Sequence, residues 1–215
     1  MKNILIIFPV LAIVLLQSCA PTMDYTWSQD NFKEQKINKI AVVVVSKNQA
    51  IRQSVESEIA SDLRAEGIDA ITSISTFLPV NASKEDWTTD AIAKQLEKLG
   101  CDAAIGISLI NQKDRTDYVP GQSYYSPIGY YRYGRNMYTN YSNVYSPGYY
   151  ENTKQYIVES NLYNLTISTD AENAMVWKGQ SSVYNPSSID GGATSYAKNL
   201  VGYLVKNNII LSTKK

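Results

Sequence analysis

Ile40-Ala41-Val42-Val43-Val44-Val45 decides the fold of this chain. A run this long, apolar throughout and rich in β-branched side chains, predicts a strand buried on both faces. Ser46 or Asn48 stands where a helix cap is needed, and Ile51, Val55, Ile59 and Leu63 then recur every four residues as one apolar stripe. Arg52, Glu56, Asp62 and Arg64 fall off that stripe, on the side expected to face solvent. Gly67 closes the helix at the position after its carboxyl cap.

The same alternation continues outward. Ile68 to Ser75 reads as a second strand. Candidate caps between Asp86 and Thr89 open a second helix with Ile92, Leu96 and Leu99 on its buried face, and Gly100 stops it. Ala103 to Ile110 is a third strand, apolar at nearly every position. Strands linked by helical crossovers predict a parallel arrangement for this half. Further on, Tyr156 to Ser168 and Met175-Val176-Trp177-Lys178-Gly179 flank the turn Thr169 to Asn173 and read as a β-hairpin, with Gly179 allowing a bulge or a bend. Ser187 to Asp190 offer caps for a last helix faced by Ala193, Tyr196, Ala197, Leu200, Leu204 and Val205. The expected fold is α/β (α+β): one domain over residues 37–212, with a mixed sheet of about five to six strands. Its order is β-α-β-α-β, a tyrosine-rich insert, then β-β-α.

The insert, residues 118–150, holds eleven of the chain's 17 tyrosines among Gly, Ser, Pro and Asn. It contains Pro120, Pro127 and Pro147 and shows no sustained period, so it reads as a long loop or irregular hairpin extension. Tyrosine joins a rigid apolar ring to a hydroxyl, which suits recognition of polar partners. The candidate contacts are Tyr124, Tyr125, Tyr130, Tyr131, Tyr133, Tyr138, Tyr141, Tyr145, Tyr149 and Tyr150. Arg132 and Arg135 are placed to add charge-assisted bonds or to stack on the rings. The expected partner is another envelope component, a protein or a glycan; the plainer alternative is a low-complexity loop that only covers a sheet end.

The amino terminus carries a second signal. Lys2 is followed by an apolar run from Ile4 to Leu16, interrupted by Pro9, and then by Leu16-Gln17-Ser18-Cys19. Thirteen residues are short of the roughly 20 that a membrane-spanning helix needs. The charged start, apolar centre and small residue before the cut describe a secretory signal, residues 1–18. Leu-Gln-Ser-Cys resembles the lipobox of bacterial lipoproteins. That resemblance implies diacylglyceryl transfer to the Cys19 sulfur, cleavage before Cys19 and acylation of the new amine. Two or three acyl chains suffice for stable anchoring. Residues 19–36, polar and mixed, read as the lipidated tether.

Composition narrows the chemistry. Lys+Arg and Asp+Glu balance at 20 each, so removal of Lys2 with the signal leaves a net charge of 19 minus 20, or −1. No basic stripe exists to displace phosphate counterions, which argues against nucleic acid as a partner. The chain has no histidine, so the commonest general base and transition-metal ligand is absent. Ser46, Ser73 and Ser75 therefore lack the partner of a histidine-based triad. With Cys19 lipidated, Cys101 has no disulfide partner; it reads as a small buried hydrophobe at a strand entrance. No metal site and no cofactor are expected; Gly-rich phosphate loops are missing, and Gly191-Gly192 reads as a helix entry. Asp114 and Asp117, after the third strand, are the only carboxylate pair worth weighing for hydrolysis, against a plain reading as solvated charges.

Element order and lipobox together resemble a group of bacterial envelope lipoproteins of uncharacterised activity. This group is related to the TolB amino-terminal domain, the curli-secretion lipoprotein and the lipoprotein activators of penicillin-binding proteins. Leu162 to Ile167, Asp170, Val176, Trp177, Lys178 and Gly179 carry the likeness, which spans about Lys39 to Ile210. It implies a non-catalytic binding or assembly module, lipid-anchored in the cell envelope at the outer membrane, with the Tyr-rich insert as contact surface. The alternative is an envelope-polymer hydrolase using Asp114 and Asp117. A pore-forming oligomer of the curli-secretion kind would need an alternating insert able to span lipid, and residues 118–150 lack that alternation.

Overall fold

The computed structural model describes residues 23–30, 37–167 and 171–214. Cys19, the signal segment and the start of the tether lie outside the described residues, as do Thr169 and Asp170 of the expected turn. The fold is mixed α+β, built on a six-stranded sheet and a separate two-stranded sheet. In chain order the six-stranded sheet contains β1 (Tyr25–Ser28), β2 (Lys39–Val45), β3 (Asp69–Thr72), β4 (Ala103–Val119), β7 (Tyr149–Asn164) and β8 (Met175–Tyr184). The smaller sheet pairs β5 (Gln122–Tyr133) with β6 (Asn136–Ser146). The spatial order of the large sheet is β1-β8-β7-β4-β2-β3. β2 runs parallel to both β3 and β4, whereas β4, β7, β8 and β1 are successively antiparallel.

β2 is buried on both faces, as its composition predicts. Ile40, Val42 and Val44 enter the larger core cluster, under α1 (Gln49–Ala65) and the last helix, α5 (Ile189–Lys206). Ala41 points the other way, into a smaller cluster with Leu96, Cys101 and Ala104 beneath α3 (Thr89–Lys98). The caps are local and conventional. Asn48 accepts from the amides of Ala50 and Ile51, Thr88 from Ala91, and Ser188 from Gly191. Gly67 and Gly100 take positive φ, +83° and +65°, just past the ends of α1 and α3.

The structure corrects several expectations. Arg52 and Glu56 are buried, at 4% and 0% exposure, rather than solvated. The Glu56 carboxylate accepts from Val44 N (3.1 Å), Ser73 Oγ (2.7 Å) and Ile74 N (2.8 Å). Arg52 donates to Ser73 Oγ and to the Leu78 carbonyl and lies over the Trp87 ring, in the 3₁₀ turn Glu85–Trp87. Capture of Ser73 and Ile74 by Glu56 also ends the second strand at Thr72 instead of Ser75, and α2 (Ser73–Thr76) follows. Part of the expected tether is β1, an edge strand laid on β8, so the ordered fold starts before residue 37. The third strand runs on to Val119, well past Ile110.

In the hairpin region, α4 (Ala171–Ala174) precedes β8. The irregularity lies opposite the Leu162/Tyr163 step, where Leu162 faces Trp177 and Tyr163 faces Met175, rather than at Gly179. The extra β8 residue lets the consecutive Val176 and Trp177 both join the larger cluster. Gly179 instead makes room for a neighbour, since a Cβ there would overlap the Trp177 ring, which lies across it. Trp177 is a core anchor, 1% exposed.

Candidate functional site

The registers bring distant segments to one pole of the sheet. β2 ends there at Val45 and the paired β4 passes it at Ser108. β8 arrives there at Ser182 and Tyr184, and α1 and α5 begin there, joined by a 2.7 Å hydrogen bond from Ser54 Oγ to Asp190 Oδ1. β1 is antiparallel to β8, with Tyr25 opposite Gln180 and Ser28 opposite Trp177, so the chain enters the fold at this pole. Asp24 continues the contact, its amide on the Gln180 carbonyl and its carboxylate accepting from Ser182 Oγ at 2.6 Å.

From this pole β4 and β7 leave the body of the sheet as a two-stranded ribbon. Pairing continues to Val119 opposite Tyr149, beyond the last β2 partner at Ser108 and the last β8 partner at Gln155. Pro120-Gly121 and Pro147-Gly148 then interrupt both strands at the same level, and β5 and β6 carry the ribbon onward as a hairpin. Proline removes ladder donors there. A Cβ on Gly121 would stand 2.7 Å from the Ser146 carbonyl oxygen and 2.8 Å from Gly148 N, so this crossing needs glycine. At the tip, Gly134 adopts φ +63° in the two-residue turn between Tyr133 and Asn136.

Of the two readings of the insert, the hairpin extension is the one found: it is paired β-structure rather than a long loop. All ten candidate tyrosines, with Arg132 and Arg135, lie on the ribbon and are exposed. Tyr131 and Tyr138 face each other across β5 and β6 with ring centroids 5.5 Å apart, and Tyr118 and Tyr150 across β4 and β7 at 5.2 Å. Adjacent residues on a strand point to opposite faces, so Tyr124-Tyr125, Tyr130-Tyr131 and Tyr149-Tyr150 each place one ring on either side. A ribbon with the same composition on both faces has no two-residue period to read, and this conceals the strands in the sequence.

An apolar cleft of about 350 Å³ opens at the same pole. Val44, Val45, Ile107, Leu109, Val158 and Val183 line it, together with Tyr156 and with Ile189 and Ala193 of α5. Tyr196 also lines it, buried and bonded to Ser160 Oγ; burial pushes its phenol well above the usual range. Nothing in the sequence pattern isolates this cleft, because the same residues read equally well as ordinary core.

Asp114 and Asp117 lie three residues apart on a stretch of β4 with continuous register, so they project from opposite faces of the ribbon. Asp117 is held by Arg115 at 2.7 Å, and Asp114 accepts from Gln112 at 3.5 Å. They do not converge on one substrate position. A more enclosed carboxylate is Glu159, on the face of β7 and β8 away from α5. Burial opposes its ionisation, but bonds from Gln180 (3.0 Å), Lys178 (3.1 Å) and Asn161 (3.2 Å) outweigh that and hold its pKa below the usual value. Both of its carboxylate oxygens are occupied by neighbouring side chains, which describes a structural cluster. Cys101 is buried, and burial pushes its thiol up, away from reactivity. Among the described residues no group of three His, Cys, Asp or Glu comes together to hold a metal ion, and no helix is long and apolar enough to cross a membrane.

No family model and no curated protein matches the chain. Among solved structures the chain is similar to a PelC dodecamer from Paraburkholderia phytofirmans. Identity is 14%, 83% of this chain and 96% of that chain are covered, and the TM-score is 0.44.

One signal in the sequence points to the ribbon. Pro120-Gly121 and Pro147-Gly148 are a symmetric pair of breaks, at matching distances from the Gly134 turn, as two facing strands require.

Proposed function

We propose that this chain is a lipid-anchored lipoprotein of the bacterial cell envelope, held at the outer membrane through Cys19, that works as a non-catalytic binding or assembly module. Its contact surface is the tyrosine-rich ribbon. The observation that carries this reading is the division of labour along β4 and β7. Ala103 to Ile107 and Ser160 to Asn164 supply the core, whereas none of the buried core residues falls between Ser108 and Glu159. Beyond Val158, which packs on the edge of the core, extended strands that bury no core residue, yet present exposed rings on both faces, support a role in contact with something else. The lipobox supports the anchor. The hydrolase reading loses support because Asp114 and Asp117 face apart.

Two measurements test the proposal. Protein purified from its native membranes should carry a diacylglyceryl group on residue 19 by intact mass; an unmodified residue 19 on membrane-bound protein would remove the anchor. A photoreactive residue at position 131 should capture envelope material in living cells, whereas one at position 98, on exposed Lys98 at the far end of α3, should not. Equal yields from the two positions would remove the ribbon as contact surface.

A further inference from the structure

The position of the ribbon relative to the chain's entry point restricts what it can touch. Met23 stands at the pole from which the ribbon leaves, and only residues 19–22 separate Met23 from the Cys19 sulfur. Four extended residues span at most about 14 Å. A lipid on Cys19 therefore presses this pole, not the opposite one, against the bilayer. From Leu109 to the tip the ribbon has a contour of roughly 80 Å at about 3.3 Å per residue. It starts at this pole, and about 33 Å along it, after Val119 opposite Tyr149, the paired Pro-Gly breaks interrupt the ladder and free the outer β5–β6 hairpin to turn from the direction of β4 and β7.

Its chemistry fits that place. Between Asp117 and Glu151 the only charged residues are Arg132 and Arg135, both exposed and both at the tip. Tyrosine is the side chain that settles at a membrane–water boundary, ring toward the acyl region and hydroxyl toward water. Rings on both faces suit a ribbon lying within the headgroup layer, wetted on neither side by bulk water alone. The pole itself adds exposed Val45, Leu109, Ile110 and Ile189.

We propose that the tyrosine-rich ribbon docks on the anionic phospholipid surface of the membrane that holds the Cys19 lipid, with Arg132 and Arg135 meeting phosphates and the tyrosines seated among headgroups. This rests on the anchored-lipoprotein reading and names the ribbon's partner within it.

The test uses the full mature chain in two forms, lipidated and Cys19→Ser, with an environment-sensitive fluorophore on Met137→Cys at the tip or on Lys98→Cys at the opposite pole. Cys101 is buried, so labelling goes to the introduced thiol. The vesicles are phosphatidylethanolamine with or without phosphatidylglycerol. The tip probe should brighten severalfold on phosphatidylglycerol vesicles and be quenched by spin-labelled lipid, in both forms, while the Lys98→Cys probe stays in water. Arg132→Glu with Arg135→Glu should weaken partitioning of the Cys19→Ser form on the order of tenfold or more. A tip probe that stays in water on lipidated, vesicle-bound protein would overturn the proposal, as would one found against a protein partner and insensitive to lipid. Intact mass separates the two readings: an unlipidated residue 19 with a responding tip removes the anchor alone, and a lipidated one with a silent tip removes the docking alone.

Discussion

Glu56 has no exposed surface, yet it is a carboxylate in the first half of a helix. Desolvation of an ion is costly unless partners replace water. Here two backbone amides and a hydroxyl take that role, with Arg52 Nη2 at 3.8 Å. The pair ties α1 to the end of β2 and to the segment from Ser73 to Leu78. Glu56→Ala leaves the buried Arg52 guanidinium without its carboxylate and the Val44 and Ile74 amides without their acceptor, and should destabilise the fold by about 3–5 kcal/mol. Urea denaturation checks this, and a loss under about 1 kcal/mol would show the network to be dispensable. An i,i+4 Arg–Glu couple off the apolar stripe has the pattern of a surface ion pair, which hides its burial from the sequence. Burial of such a couple depends on donors from distant segments, which no helical period reveals.

At the scale of elements, β2, α3 and α5 follow their periods, side-chain caps open α1, α3 and α5, and Gly67 and Gly100 close α1 and α3, since each of those signals is local. β4 and β7 do not: half of each strand obeys core patterning and half does not. An isolated two-stranded ribbon is marginal in water, and this one is held by cross-strand tyrosine pairs and by continuity with the sheet. Removing Gln122–Ser146 joins Gly121 to Pro147 and leaves Pro-Gly-Pro-Gly to close β4 onto β7. Because no buried core residue lies in the deleted stretch, the unfolding free energy should change by no more than about 0.5 kcal/mol. A loss beyond about 2 kcal/mol would mean that the hairpin packs on the body of the protein and is no free arm.

For the whole molecule, acid sensitivity should be traceable to Glu159. Its folded pKa lies below the ordinary 4.5, so its contribution is present above that value and disappears as pH falls through the lower folded value. Native stability should therefore fall with acidification below about pH 4.5. Glu159→Gln should reduce that slope while leaving the curve above it flat. Identical pH profiles for the two proteins would show that the cluster of Glu159, Lys178, Gln180 and Asn161 is not linked to folding. The ribbon's placement is likewise a property of the whole chain. Strand ends and two helix starts, separated widely in the chain, collect at one pole with the chain's entry point.

The sequence by itself determined the α+β class, the parallel first half, the antiparallel second half and most helix boundaries. Hydrophobic period, capping side chains and positive-φ glycines are short-range, so they survive in one dimension. Only the tertiary structure decided that Arg52 and Glu56 are interior, that Tyr25–Ser28 is an edge strand, that Asp114 and Asp117 face apart, and that the tyrosines line a ribbon. Each of these depends on which strand lies beside which. That pairing is set by burying the β2 and β4 faces together, a contact between segments some sixty residues apart that leaves no periodic trace along the chain.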